Sequence, residues 1–485
     1  VSIIPKAILE LTHDSFLSNI PRQTHPLRPK PGFSSGDEVE GLNCLSWRLA
    51  VETSNVIEWK TVPKECEGYV GNYILGDQYR KDSRMVTLEA IKFAKSLNLS
   101  GDGKDVWVFD VDETTLSNIP YYAKHGFGAE PYNSSAFNEW VLKAEAPALP
   151  ETFELYKELV DLGVKIVFLT GRSDVLGRGP ATVSNLKNAG YNIWEKVILK
   201  NRTIYPHPTS IFFKSSERAK LVEEGYRIVG NMGDQWSDLL GDPTGGRTFK
   251  LPDPILMSII PNAIQELTHD SFLSNIDIPR QMHLLRPKTG FSSGDEVEGL
   301  HCLSWRLAVE TNNIIKWETV PKECEGYVGN YMLGQQYRND SRIVTREAIK
   351  YVKSLTLSGD GKDAWVFDID ETTLSNLPYY AEHGFGAEPF NKYKFLDWVL
   401  KAEAKALPET FELYEVLKDL GVKIVFLTGR TDEFDRRPAT EKNLRGAGYD
   451  TWEKTSMMIL VAGIKLFIHL ELVQFSSNQV KGPNS

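Results

Sequence analysis

The chain starts over. Residues 2–21 read SIIPKAILELTHDSFLSNIP and residues 258–279 read SIIPNAIQELTHDSFLSNIDIP. The second pass stays in register through GLxCLSWRLAVET, VPKECEGYVGNY, FDxDETTLSN, ALPETFELY and GVKIVFLTGR, with roughly three quarters of aligned positions identical. A period of about 255 residues is a whole domain and not a solenoid unit. The length of 485 residues is therefore not three average domains, as size alone suggests. It reads as a complete domain over residues 1–256, a second copy over 257–454, and a tail over 455–485. The seam falls near GDPTGGRTFKLPDPIL, rich in turn residues. With 41% hydrophobic and 25% charged residues the chain is globular, and a net charge of -10 argues against nucleic acid or a polybasic membrane patch as the main partner.

The second copy is spoiled at its end. After Trp452-Glu453-Lys454 it runs into TSMMILVAGIKLFIHLELVQF, which shares nothing alignable with VILKNRTIYPHPTSIFFKSSERAKL of the first copy. Lys465, His469 and Glu471 interrupt the apolar run, so no membrane span is expected. Cys44 and Cys66 recur as Cys302 and Cys324, which suits one disulfide per copy in an oxidising compartment, with reduced buried thiols as the alternative. The sequons at Asn98, Asn133, Asn201 and Asn339 agree with secretion, although the start of the chain shows no signal peptide.

Within each copy, short apolar runs alternate with helical patterns. DVWVFDV, VKIVFLTGR, KVILK and YRIVGNMGD read as buried strands, LPETFELYKELVDLG as an amphipathic helix, residues 180–189 as another, and SSERAKLVEEG as a third. This alternation predicts an α/β fold with a parallel sheet covered on both faces and ligands at the carboxyl ends of its strands.

The chemistry-bearing residues follow those strands. Asp110 and Asp112 stand two apart where a strand gives way to a loop. One carboxylate there can attack phosphorus while the other exchanges a proton with the leaving oxygen and then with water. Alone, this pair also reads as a solvated acidic turn. Thr170, Gly171 and Arg172 close the next strand, with a hydroxyl and an unobstructed backbone for a phosphate oxygen. Lys214 brings a positive charge near a helix start. Asp234 and Asp238 in GDQWSD, with Asp110, supply hard oxygen donors for Mg2+.

Together these motifs resemble those of the haloacid dehalogenase-like phosphatases. CLSWRLAVET, VPKECEGYVGNY, YNIWEK and NMGDQWSDL further resemble the plant acid phosphatase and vegetative storage protein family, its class B-like branch. The resemblance covers the first copy and about three quarters of the domain again in the second. It implies a Rossmann-like parallel sheet with a small helical cap, duplicated and incomplete the second time. It implies Asp110 as nucleophile and metal ligand, and Asp112 as general acid and base that reaches the metal through its backbone carbonyl. Thr170, Gly171 and Lys214 would bind phosphate, and Asp234 and Asp238 would hold Mg2+. The implied activity is hydrolysis of small phosphate monoesters through a phosphoaspartate, in a secreted or vacuolar protein, with a homodimer left open. A storage role with incidental phosphatase activity is the alternative, since some members of this family are storage proteins.

The second copy keeps Asp368, Asp370, Thr428 and Gly429 but lacks counterparts of Lys214, Asp234 and Asp238, which predicts an inactive domain with a central strand left as an edge. The insert between Asn118 and Leu149 is rich in aromatics and sits where a cap would cover the site; ordinary packing explains those rings equally well. His13, His25, His125 and His207 show no metal spacing. A glycosyltransferase reading of the DxD leaves the other three motifs unexplained.

Overall fold

The computed structural model describes residues 38–39, 42–56, 59–205, 209–255, 296–297, 300–315 and 317–458. The tail assigned to 455–485 therefore lies outside the described residues from 459 onward, as do His13, His25 and His207. The chain forms two compact units. The first spans residues 1–274 and 286–347, and the second spans 275–285 and 348–485. The first unit thus contains the front of the second repeat.

In the first repeat, helices α1 (Cys44–Glu52), α2 (Glu67–Leu75) and α3 (Asp77–Lys95) precede strand β1 (Asp105–Phe109). After an insert carrying α4 (Ser134–Lys143) come α5 (Pro150–Asp161), β2 (Lys165–Ser173), α6 (Arg178–Asn188) and β3 (Lys196–Lys200). The first repeat continues with α7 (Ser210–Glu223), β4 (Arg227–Gly233), α8 (Trp236–Leu239) and β5 (Thr248–Lys250). The five strands form one parallel sheet in the order β3-β2-β1-β4-β5, as the strand-helix alternation predicts. A disulfide joins Cys44 to Cys66.

Alternate residues of β1 serve opposite faces, which is why its sequence is apolar throughout. Val106 and Val108 join Val167, Leu169, Phe213 and Leu221 on the α7 side, while Trp107 and Phe109 join Ile166, Phe168, Leu155 and Leu159 on the α5 side. Trp107 stacks on Phe249 with ring centroids 5.6 Å apart and lies so close to Gly230 that a Cβ there would come within 2.3 Å of the indole. Only glycine admits that packing.

The second repeat copies this plan as α9 (Cys302–Glu310), α10 (Glu325–Leu333), α11 (Gln335–Ser354), β6 (Ala364–Asp368), α12 (Lys392–Lys401), α13 (Pro408–Asp419), β7 (Lys423–Thr431), α14 (Arg436–Gly446) and β8 (Lys454–Met458). A disulfide joins Cys302 to Cys324. Its sheet has the order β6-β7-β8. Among the described residues strand β6, the counterpart of the central β1, is an edge. Val366 is 47% exposed where its counterpart Val108 is 1% exposed. Past the end of sequence similarity, β8 still pairs Val425 with Lys454 and Thr428 with Met457, the register in which β3 pairs Val167 with Lys196 and Thr170 with Leu199. Pairing runs through backbone groups, so a different side-chain sequence can take the same place.

Candidate active site

Every motif of the first repeat arrives at the carboxyl end of the sheet. Asp110 follows β1 directly, its N–H donating to the Met232 carbonyl at 2.9 Å. The loop beyond it turns sharply, with Glu113 at φ 55°, a left-handed conformation that costs a non-glycine residue energy and clusters at functional sites. Thr170 and Arg172 lie at the end of β2, and Asp234 follows β4 directly. Gly233 precedes it because a Cβ there would press within 2.4 Å of the Asp238 side chain. Asp238 belongs to α8, where its carboxylate accepts the Gln235 N–H at 3.0 Å.

Lys214 lies inside α7 and not ahead of it. The helix begins at Ser210, capped by the Thr209 hydroxyl accepting the Phe212 N–H. The apolar spacing of SSERAKLVEEG predicts a helix start at Ser215, but the Thr209 cap opens it five residues earlier, and Lys214 therefore projects from the second turn. Its Nζ donates to Asp110 Oδ1 and to Asp238 Oδ1, both at 2.5 Å. Asp110, Asp234 and Asp238 each offer a carboxylate oxygen within 4.8 Å of the others, and all three are buried. Burial pushes the Asp110 carboxyl well above its usual range against the pull of Lys214, with Asp238, Asp234 and Asp112 adding to the rise. Burial and then Asp238 raise Asp234 likewise. On Lys214 burial acts downward, but Asp110 and Asp238 overcome it and raise the ammonium. Burial is the first cause for both carboxyls, and three buried carboxylates gathered about one ammonium leave the cluster short of positive charge. An all-oxygen donor set with excess negative charge suits a divalent cation such as Mg2+.

Asp112 is held apart from this cluster. Arg172 grips it through Nη2 to Oδ1 at 2.6 Å and Nε to Oδ2 at 3.1 Å. Asn118 Nδ2 donates to Oδ1 at 2.8 Å, and Thr170 Oγ1 reaches Oδ2 at 3.5 Å. Burial raises the Asp112 carboxyl, but the charge and hydrogen bonds of Arg172 outweigh it, and the net shift is downward. The Asp112 side chain is thus not one of the three grouped oxygens. Gly171 has open space where a Cβ would point.

Several residues of this site carry no role in the sequence reading. Arg172 is visible there only as the end of LTGR. Asn118 joins Asp112 to the cap, accepting from Trp140 Nε1 at 2.8 Å. Thr114 Oγ1 donates to Asp234 Oδ1 at 2.9 Å. Arg218 binds the carbonyls of Asp238 and Leu240 at 2.7 and 2.6 Å and so shapes the loop that carries Asp238. These are pairings between distant segments, and no local pattern signals them.

In the second repeat, Arg430 Nη2 grips Asp370 Oδ1 at 2.7 Å and Thr428 Oγ1 approaches Asp370 at 3.5 Å. Among the described residues Asp368 meets no lysine. Thr372, the counterpart of Thr114, turns to it at 3.3 Å, and burial lifts the Asp368 carboxyl to about 6. Gly429, like Gly171, has open space over its backbone.

Comparison with known families gives this geometry its class. The model of the HAD superfamily, subfamily IIIB (acid phosphatase) matches residues 30–258 and 286–459, and the chain belongs to that family. Among its relatives, the stem 28 kDa glycoprotein of Glycine max is 49% identical over 231 residues, 47% of this chain and 89% of that protein. Acid phosphatase 1 of Solanum lycopersicum is 48% identical over 214 residues, 44% of this chain and 83% of that protein. Vegetative storage protein 1 of Arabidopsis thaliana is 46% identical over 225 residues, 45% of this chain and 82% of that protein. No helix among the described residues is long and apolar enough to cross a membrane.

Proposed function

We propose that the first repeat hydrolyses small phosphate monoesters with an acidic optimum, through a phosphoaspartate on Asp110. The observation that carries this reading is the buried convergence of Asp110, Asp234, Asp238 and Lys214 at the strand ends. Asp110, Asp234 and Asp238 would hold Mg2+, which when bound offsets the repulsion between the attacking carboxylate and the phosphate and polarises the phosphoryl oxygens.

The Asp110 carboxylate attacks phosphorus, the bond from phosphorus to the ester oxygen breaks, and Asp112 passes a proton to the departing oxygen. Water then attacks phosphorus, Asp112 takes its proton, and inorganic phosphate leaves Asp110. Lys214 and the Thr170–Gly171 backbone stabilise the charge on the transferred group. Arg172 orients Asp112 and draws its carboxyl downward, which favours the ionised form that takes the proton from water in the second half; in the first half Asp112 acts from its protonated form, which an acidic pH populates. The second repeat, without Lys214, Asp234 or Asp238 counterparts, contributes no turnover.

The disulfides, the sequons and the relatives named as stem glycoproteins support a secreted or vacuolar location. The relatives named vegetative storage proteins favour a second reading, an amino-acid reserve in which phosphatase activity is incidental. Measuring p-nitrophenyl phosphate hydrolysis by the full chain and by Asp110→Asn, each with Mg2+ and with chelator, tests the proposal. Turnover that needs both Asp110 and the cation is expected; activity untouched by the substitution overturns it.

A further inference from the structure

The front of the second repeat packs on the first within the same compact unit, and the contacts come in matched pairs. Gln78 Nε2 donates to Ser304 Oγ at 2.9 Å, and Gln336 Nε2 donates to Ser46 Oγ at 2.9 Å. Gln336 is the repeat counterpart of Gln78, and Ser304 that of Ser46. Trp59 Nε1 donates to Glu347 Oε1 at 3.2 Å, and Trp317 Nε1 donates to Glu89 Oε1 at 3.2 Å, again with each residue exchanged for its counterpart. The apolar contacts obey the same rule. Met85 of α3 packs in a cluster with Cys302, Trp305 and Cys324, and its counterpart Ile343 of α11 joins the cluster containing Cys44, Trp47 and Cys66. Where the repeats differ in sequence the symmetry breaks: Asn43 donates to Gln336 Oε1 at 3.0 Å, while its counterpart His301 meets Lys81 at 2.7 Å.

Exchange of the Gln–Ser, Trp–Glu and α3/α11 apolar contacts with their counterparts is the signature of a twofold isologous interface, in which one patch binds a second copy of itself. Tandem packing by chance has no reason to pair Gln with Ser and Trp with Glu in both directions. A second set of bonds shows what this placement covers. Asn313, in the turn after α9, accepts the Lys250 N–H through Oδ1 and donates from Nδ2 to the Lys250 carbonyl, both at 2.8 Å. Arg247 donates to the carbonyls of Asn312 and Ile314 at 3.1 and 2.9 Å. Among the described residues strand β5 is the edge of the first repeat's sheet, so the Asn313 bonds occupy Lys250 backbone groups that an open edge leaves unpaired.

We propose that the face formed by α1 and α3 is a self-association surface whose occupant is a second copy of this domain, and that in this chain the second repeat fills it in cis. Residues 300–347 of the incomplete copy then serve the complete one as a built-in twofold partner that also seals the β5 edge. Joining both halves on one chain makes the association intramolecular, with an effective concentration on the order of millimolar where the connection is short and flexible. The face is thereby closed to a further copy.

Two measurements on the full chain test this. Introducing Ser46→Cys with Gln336→Cys, and separately Gln78→Cys with Ser304→Cys, followed by a short bismaleimide, is expected to give an intrachain crosslink in each variant at one chain's mass. A ladder of crosslinked chains, or crosslinking at neither pair, overturns occupation in cis. Amide hydrogen exchange then guards against misfolded variants. In the unmodified chain the Lys250 amide is expected to exchange slowly, and Asn313→Ala to speed it at least tenfold while residues 106–109 stay protected. Fast exchange at Lys250 in the unmodified chain also overturns the proposal.

Discussion

Arg172 holds Asp112 by both carboxylate oxygens, at 2.6 and 3.1 Å, while Lys214 holds Asp110 at 2.5 Å. The two carboxylates of one DxD pair are thus assigned to different cations and different roles. Two adjacent anions left to share one cation have their titrations coupled and their roles blurred. Replacing Arg172 by Lys removes the two-pronged grip, since an ammonium cannot match a carboxylate through a planar fork. Arg172→Lys is expected to lower kcat for p-nitrophenyl phosphate by about tenfold or more with little change in KM, and Asp112→Asn by about 10² to 10⁴. Steady-state kinetics on the full chain reads both; an Asp112→Asn protein with unchanged kcat removes Asp112 from proton transfer.

Among the described residues, Lys214 is the one cation bonded to both Asp110 and Asp238. Lys214→Met leaves buried carboxylates uncompensated, which costs about 3–5 kcal/mol when one partner of a buried pair is removed. Denaturant unfolding of the first unit is expected to show that loss in the absence of divalent cation. Added Mg2+ is expected to recover part of the stability and none of the turnover, because a cation at the carboxylates does not replace an ammonium positioned by α7.

The repeats predict an asymmetric response to the same substitution. Asp110→Asn is expected to abolish phosphatase turnover of the full chain, whereas Asp368→Asn is expected to leave it within error of the unmodified protein. Among the described residues, no group of three carboxylates like that of Asp110, Asp234 and Asp238 forms around Asp368. Equal losses from the two substitutions contradict a single active repeat.

Asp253 carries a stability signature. Burial, with Glu113 next, raises its carboxyl to about 8, and it accepts from Gln235 Nε2 at 2.7 Å. The folded state binds this proton more tightly than the unfolded chain, whose Asp titrates near 3.9. The contribution to stability is therefore complete below about pH 4 and is lost as pH rises toward 8. Thermal unfolding across pH 4 to 8 is expected to show a falling midpoint, and Asp253→Asn, which keeps a neutral side chain at every pH, to flatten the slope. A slope unchanged in Asp253→Asn assigns it to other groups.

Local sequence carries much of this protein. The apolar run DVWVF needs two covered faces because its odd and even residues both point into oil, and that alone implies a parallel sheet with flanking helices. LTGR is legible as the end of a strand and GDQWSD as the loop after one, which places the site residues at one end of the sheet from sequence alone. Lys214 was harder, because its usefulness depends on a helix that starts four residues earlier at a threonine cap.

What the sequence by itself determined is the repeat, the alternation of strands and helices, and the inventory of carboxylates and cations in each copy. Only the tertiary structure decided which cation serves which carboxylate, that the cluster excludes the Asp112 side chain, that β8 occupies the place of β3 with an unrelated sequence, and that α9 to α11 pack on the first repeat through paired contacts. The physical reason is range. Periodicity and capping are written in residues a few positions apart, whereas a charge pair such as Asp110 with Lys214 spans 104 positions and the Gln78–Ser304 bond spans 226. Such contacts exist only once burial has brought distant segments into one low-dielectric interior, where an unpaired polar group is costly enough to select its partner.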